Sequence, residues 1–228
     1  MSQCRRMELL SLAPAFSGEE EAAGEVPDPR APTRVLRLRT RYLRGTDVTF
    51  HQLSVEGCCL KKTRTGDRFV THGMHLGVRG LGEPGPDGRA LFVLDGDGQL
   101  LAADASACAI GAAEYAAVLD GRDGAAALHV PDVLELLQHS SLVAGGPVRC
   151  AGELVTDGRG RLLLLSSRSR RYRSGAAHLV ALLAHLERAG LPLAGVTVEL
   201  EEPGGPRLHD AAAFLAAGGA PVAFAGWY

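Results

Sequence analysis

Aromatic residues are scarce in this 228-residue chain: one Trp, four Tyr and six Phe, 5% of the total. Stacking platforms for single-stranded nucleic acid are therefore thin. An excess of one charge is also missing, since 24 Lys and Arg face 26 Asp and Glu, a formal net charge of −2. No overall field draws the chain to nucleic acid or to a membrane, so neither is an expected partner. The five cysteines, Cys4, Cys58, Cys59, Cys108 and Cys150, contain no Cys-x-x-Cys spacing. An odd number without that spacing indicates neither a disulfide framework nor a zinc site, and fits inert thiols in a reducing, cytoplasmic setting. Long apolar runs are absent too, and no stretch approaches the roughly 20 residues of a membrane span. Glu8 and Pro14 interrupt the apolar run that follows Arg5 and Arg6, so no classical signal peptide is expected.

Hydrophobic residues are nevertheless 46% of the chain, enough for a buried core, and 29 glycines supply many turns. Residues 1–33 end in an acidic, Pro- and Gly-rich stretch with no apolar period, which predicts a disordered tail. A single α+β domain is expected over 34–228. In the first segment Leu36, Leu38, Thr40 and Tyr42 alternate with Arg37, Arg39 and Arg41, the period of a strand with one arginine face. Phe50–Leu60 reads as another strand. Two hairpins follow, turning at Asp95-Gly96-Asp97-Gly98 and at Asp157-Gly158. Between them lie an Ala- and Gly-rich insertion from Ala103 to Ala127 and a short helical or buried segment after Pro131. The apolar run Leu162–Leu165 predicts a central strand buried on both faces. Leu179, Leu182, Leu183 and Leu186 lie at helical spacing, with Ser174 as N-cap and Gly190 as stop. Gly195–Leu200 is the next strand, Asp210–Ala217 a short helix and Pro221–Tyr228 a last strand. These elements predict a central, mostly antiparallel sheet built from hairpins, with one amphipathic helix packed on it.

Three polar stretches stand out: His139-Ser140-Ser141-Leu142-Val143-Ala144-Gly145-Gly146, Ala151-Gly152-Glu153, and Ser169-Arg170-Arg171-Tyr172-Arg173-Ser174. Together with Val93–Leu100, the leucine helix and Ala189–Val198, they make residues 92–200 resemble the HSSFLAGG/SGHYRP-type domain of bacterial effector and polymorphic-toxin proteins and plant IQ-motif proteins. The third stretch departs from that pattern. Ser, Tyr and Arg remain, while Gly, His and Pro give way to Arg170, Arg171 and Ser174. Arg171 cannot act as an acid or base where the family has His, because a guanidinium stays protonated, though it can bind an anion. The resemblance implies an effector- or toxin-like domain acting on or docking to a protein or nucleotide ligand, through His139, Glu153, Arg168, Arg171, Tyr172 and Arg173.

Two further functions follow from the residues. A non-catalytic interaction or regulatory module would keep the fold and lose the site. An ADP-ribosyltransferase-like enzyme using NAD would draw on the chain order of Arg39 or Arg41, Ser140 or Ser141, and Glu199 or Glu201. There Arg clamps phosphates and Glu stabilises an oxocarbenium-like sugar. Against these stand plainer readings. Arg37, Arg39, Arg41, Glu199 and Glu201 would be solvated strand faces, and His139, Ser140 and Ser141 would hold backbone groups at a tight turn. His72 and His75 lack the further ligands of a metal site. If there is a site, the Ser-Ser turn, the Ala-Gly-Glu strand and the arginine loop must converge on one face of a common sheet.

Overall fold

A computed structural model describes residues 22–28, 31–74, 88–104, 133–169 and 171–221. Most strands belong to one sheet of eight. These are β3 (Gln52–Glu56), β4 (Cys59–Lys62), β5 (Ala90–Asp95), β6 (Leu100–Ala103), β8 (Val148–Thr156), β9 (Leu162–Ser166), β10 (Thr197–Glu202) and β11 (Gly205–Asp210), in the order β11-β10-β9-β8-β5-β6-β3-β4. A second sheet pairs β1 (Ala22–Asp28), β2 (Ala31–Thr40) and β7 (Val133–Leu136). The helices are short: α1 (Thr46–Thr49), α2 (Ala176–Arg188) and α3 (Ala211–Ala216), with a 3-10 turn at His139–Val143. No helix among the described residues is long and apolar enough to cross a membrane.

The expected mostly antiparallel sheet is corrected to a mixed one. β9 and β10 are parallel, with Leu165 opposite Val198 and Ser166 opposite Glu199. A parallel pair needs a long crossover, and α2 supplies it. The hairpins flanking that unit are antiparallel, which is why hairpin signals alone pointed elsewhere. The sheet also curls. After β4 the chain turns back so that the Phe69 amide bonds the Leu60 carbonyl, and Thr71 and Thr156 exchange amide-to-hydroxyl bonds of 3.1 and 3.0 Å. The Leu60 amide donates to Gly160 in the β8–β9 turn. These contacts draw the β4 edge toward the middle of the sheet.

The expected tail is corrected where it is described. Residues 22–28 form β1, antiparallel to β2, and Pro27, which has no amide hydrogen, sits on this edge strand. The segment after Pro131 is the strand β7, parallel to β2. Residues 1–21, most of the insertion, the loop at 80–87, His75, Arg170 and the end at 222–228 lie outside the described residues.

Both hairpins turn through five-residue stretches, Asp95–Gln99 and Asp157–Arg161, each closed by a bond from the amide of its first residue to the carbonyl of its last. In each the first Asp caps two amides: Asp95 accepts from Asp97 and Gln99, and Asp157 accepts from Arg159 and Arg161. Positive φ falls on the second glycine, Gly98 and Gly160, and not on Gly96 or Gly158 as the Asp-Gly signal suggested.

Two apolar clusters lie on opposite faces of the sheet. One holds Leu179, Leu182, Leu183 and Leu186 of α2 with Phe92, Leu94, Leu154, Leu165 and Val198. Burial of each leucine contributes on the order of 1.5–3 kcal/mol before entropy costs. The other holds Leu91, Val93, Ala151, Leu142 and Tyr172. Strand alternation explains the split, since Phe92 and Val93 point to opposite faces. β9 does not follow the two-sided burial expected of it: Leu165 is buried, while Leu163 is 42% exposed.

Candidate functional site

Register across four strands builds a polar row on the sheet face opposite α2. On β8 Glu153 stands opposite Leu91 of β5 and Ser166 of β9, and Ser166 stands opposite Glu199 of β10. Directly paired residues share a face, so Glu153, Ser166 and Glu199 are neighbours. Arg89, one residue before β5, reaches into the row. Its Nη1 donates to Glu153 Oε2 at 3.0 Å and to Glu199 Oε1 at 2.8 Å, and its Nη2 donates to Glu199 Oε2 at 3.1 Å. One guanidinium thus bridges two carboxylates, bidentate toward Glu199.

The two carboxyls are driven apart electrostatically. Hydrogen bonding from Arg89, with help from Ser166, holds Glu199 below the ordinary glutamate value. Burial raises Glu153 above it, against the pull of Arg89. A pair whose environments separate its proton affinities divides the roles of charged acceptor and proton carrier. Glu153 Oε1 also faces Arg168, whose Nε is 3.9 Å away and whose side chain is half exposed. Ser166 fixes the loop above the row by accepting the Arg168 amide.

The three stretches singled out in the sequence do converge on this face. His139 Nε2 donates to the Gly152 carbonyl at 2.8 Å. Arg171 donates to Gln138 Oε1 at 2.6 Å and to Thr40 Oγ1 at 3.2 Å. Tyr172, wholly buried, donates its hydroxyl to the Gly146 carbonyl at 2.6 Å. Ser174 is not the N-cap of α2, a place taken by Gly175; its hydroxyl instead accepts the Ala151 amide. Gly152 is required by close approach, because a Cβ there would lie 1.8 Å from the Ser166 carbonyl oxygen.

Their chemistry differs from the expected site. Burial pushes the His139 pKa down to about 4, so its ring is neutral and serves as a tie. Ser141 accepts the Gln138 amide and caps the 3-10 turn. Ser140 is buried, and its hydroxyl has no hydrogen-bond partner among the described residues. Neither serine reaches the polar row by any hydrogen bond among the described residues. Arg171, expected to hold an anion at the surface, is buried on Gln138 and Thr40; Arg173 is exposed. Arg41 continues from β2, its amide bonded to Leu136, and its charge acts on His51. The cations acting on Glu199 are Arg89 and Arg168, and Arg41 is not among them. Glu199 is itself buried and not solvated, while Glu201 is exposed.

No family model, no curated protein and no solved structure matches this chain. Its function is therefore argued from the site alone.

Arg89 and Ser166 are the residues that sequence reasoning missed. Ser166 ends an apolar strand, where a hydroxyl needs a polar partner, and that was a readable signal. Arg89 directly precedes β5, and only the strand register shows that it points at Glu153.

Proposed function

We propose that the row Arg89, Glu153, Ser166 and Glu199, with Arg168 at its lip, is a ligand site for the sugar and phosphate groups of a nucleotide-class molecule. The observation that carries this reading is the single guanidinium shared by two carboxylates of opposite pKa shift, next to a half-exposed arginine. Perturbed carboxyls clustered on an incompletely covered face favour a functional site. Ionised Glu199 would accept sugar hydroxyls, and Arg168 would meet phosphate.

The same row supports the NAD-using version of this reading, with Arg89 in place of Arg39 or Arg41, Ser166 in place of Ser140 or Ser141, and Glu199 kept. Glu199, held charged, would stabilise positive charge developing on the ribose as nicotinamide leaves. Calorimetric titration with ADP-ribose and NAD tests the proposal, with nicotinamide release followed in parallel. Saturable binding lost in Glu199→Gln and weakened in Arg168→Ala is the expected result. Release of nicotinamide selects the enzyme.

A second reading, a non-catalytic docking module, is favoured by His139, Arg171 and Tyr172, whose side chains are tied to Gly152, Gln138 and Gly146 inside the chain. Absence of binding to either nucleotide, with capture of a protein partner that Glu199→Gln abolishes, would select it.

A further inference from the structure

A groove of about 490 Å³ opens on the other side of the molecule, between β3, β6 and the C-terminal turn of α2. Val55, Leu100 and Leu186 give it an apolar floor, and Gln52, Gln99 and His185 a polar rim. Gln52 and Gln99 bond to each other through their side chains across the rim. This volume lies in the range of small-molecule sites, which pair an apolar floor with few polar groups.

The charge at one end of the groove is of one sign. A methyl group built on Gly98, whose φ is +82°, would lie 3.6 Å from His185 Cε1 and 3.7 Å from Arg149 Nη1. The His185 ring and the Arg149 guanidinium therefore sit over the same turn. Arg188 follows three residues after His185 on α2, and its Nε donates to the Ala184 carbonyl. The charges acting on His185 are Arg188 and Arg149, with no acid among them. Among the described residues none of the three has a carboxylate within ion-pair distance. Two guanidiniums, Arg149 and Arg188, flank His185 without a counter-charge, and beside a partly apolar groove they leave a net positive potential that a ligand can satisfy.

We infer that this groove binds an amphipathic organic anion, its head on Arg149 and His185 and its apolar body over Val55, Leu100 and Leu186. The site is independent of the Glu153–Glu199 row, which lies on the opposite face of the sheet. The head group is specified by charge: Arg149 supplies the fixed cation, and the His185 ring and the Gln99 amide supply hydrogen bonds.

The test is an amide-shift titration of the whole chain with octanoate, octylammonium, 1-octanol and inorganic phosphate, read at Gly98 and Gln99. Octanoate should give saturable shifts there, and the cation and alcohol should not compete with it. Arg149→Gln should weaken octanoate about tenfold or more, the cost of one charged hydrogen bond. Gln99→Glu, which places a new negative charge on the exposed rim, should abolish binding. Both variants should keep the wild-type thermal midpoint, since neither removes buried contacts. Equal binding of octylammonium or octanol, an unchanged affinity in Arg149→Gln, phosphate binding without octanoate binding, or no saturable shift would each overturn the assignment.

Discussion

Around the His139–Gly146 turn, polar side chains bond across elements: His139 to β8, Arg171 to β2 and to Gln138, Tyr172 to the end of the turn. Along the Arg89–Glu199 row, charged side chains from β8, β10 and the residue before β5 bond chiefly to one another, and Arg168 stands beside them half in solvent. The first region joins neutral or single charges to backbone and amide partners that cannot leave. The second concentrates four charges at one lip of the sheet, where an incoming ligand can compete for them. The difference teaches that a conspicuous motif can serve the fold while a set dispersed in sequence gathers the charges.

The scaffold shared by both regions is the first thing to break. Leu183→Asp places a carboxylate in the core beneath α2, where Leu183 is fully buried. It should cost about 4 kcal/mol or more and remove the cooperative thermal transition. A wild-type melting curve would mean that α2 does not cover this sheet.

Arg89→Ala separates the two regions. It leaves Glu153 and Glu199 facing each other without their cation, at a cost of about 2–4 kcal/mol in urea unfolding. Most of that loss should be recovered in the double variant with Glu199→Gln. A loss that the double variant does not restore would show that the row is not coupled through Arg89.

His139 gives the opposite region a pH signature. Its folded pKa, about 4, lies below the ordinary value of 6.5. The neutral ring therefore contributes stability that is fully present above pH 6.5 and is lost as pH falls toward 4. The slope reaches about 1.4 kcal/mol per pH unit within that window. His139→Gln should flatten the slope between those limits, measured by denaturant unfolding at a series of pH values. An unchanged slope would remove His139 from the tie.

Two smaller effects sharpen the contrast. Tyr172→Phe deletes the buried bond to Gly146 and should cost about 1–2 kcal/mol in the same assay. Arg168→Ala should change stability by less than about 0.5 kcal/mol, because its contact to Glu153 is long and solvent-screened. A large destabilisation by Arg168→Ala would make it part of the scaffold.

Local signals carried much of the element list. The leucine spacing of Leu179–Leu186, both Asp-Gly hairpins and the alternation before Thr40 are short-range patterns, and strands or a helix stand where they lie. The parallel pairing of β9 with β10 was not legible, because it depends on where the crossover helix returns the chain. Glu199 was visible as an alternating acid, yet its burial depends on Arg89, 110 positions earlier. Pairing between strands that far apart leaves no local mark, so the sequence offered Glu153, Glu199 and Arg168 of the row but neither Arg89 nor Ser166.

The most direct measurement is the pH titration of the Glu153 and Glu199 carboxyl carbons by ¹³C NMR, assigned with Glu153→Gln and Glu199→Gln. The account predicts that Glu199 titrates below the ordinary glutamate value and Glu153 above it, with Arg89→Ala raising Glu199. Two carboxyls titrating together at the ordinary value, and indifferent to Arg89, would contradict it.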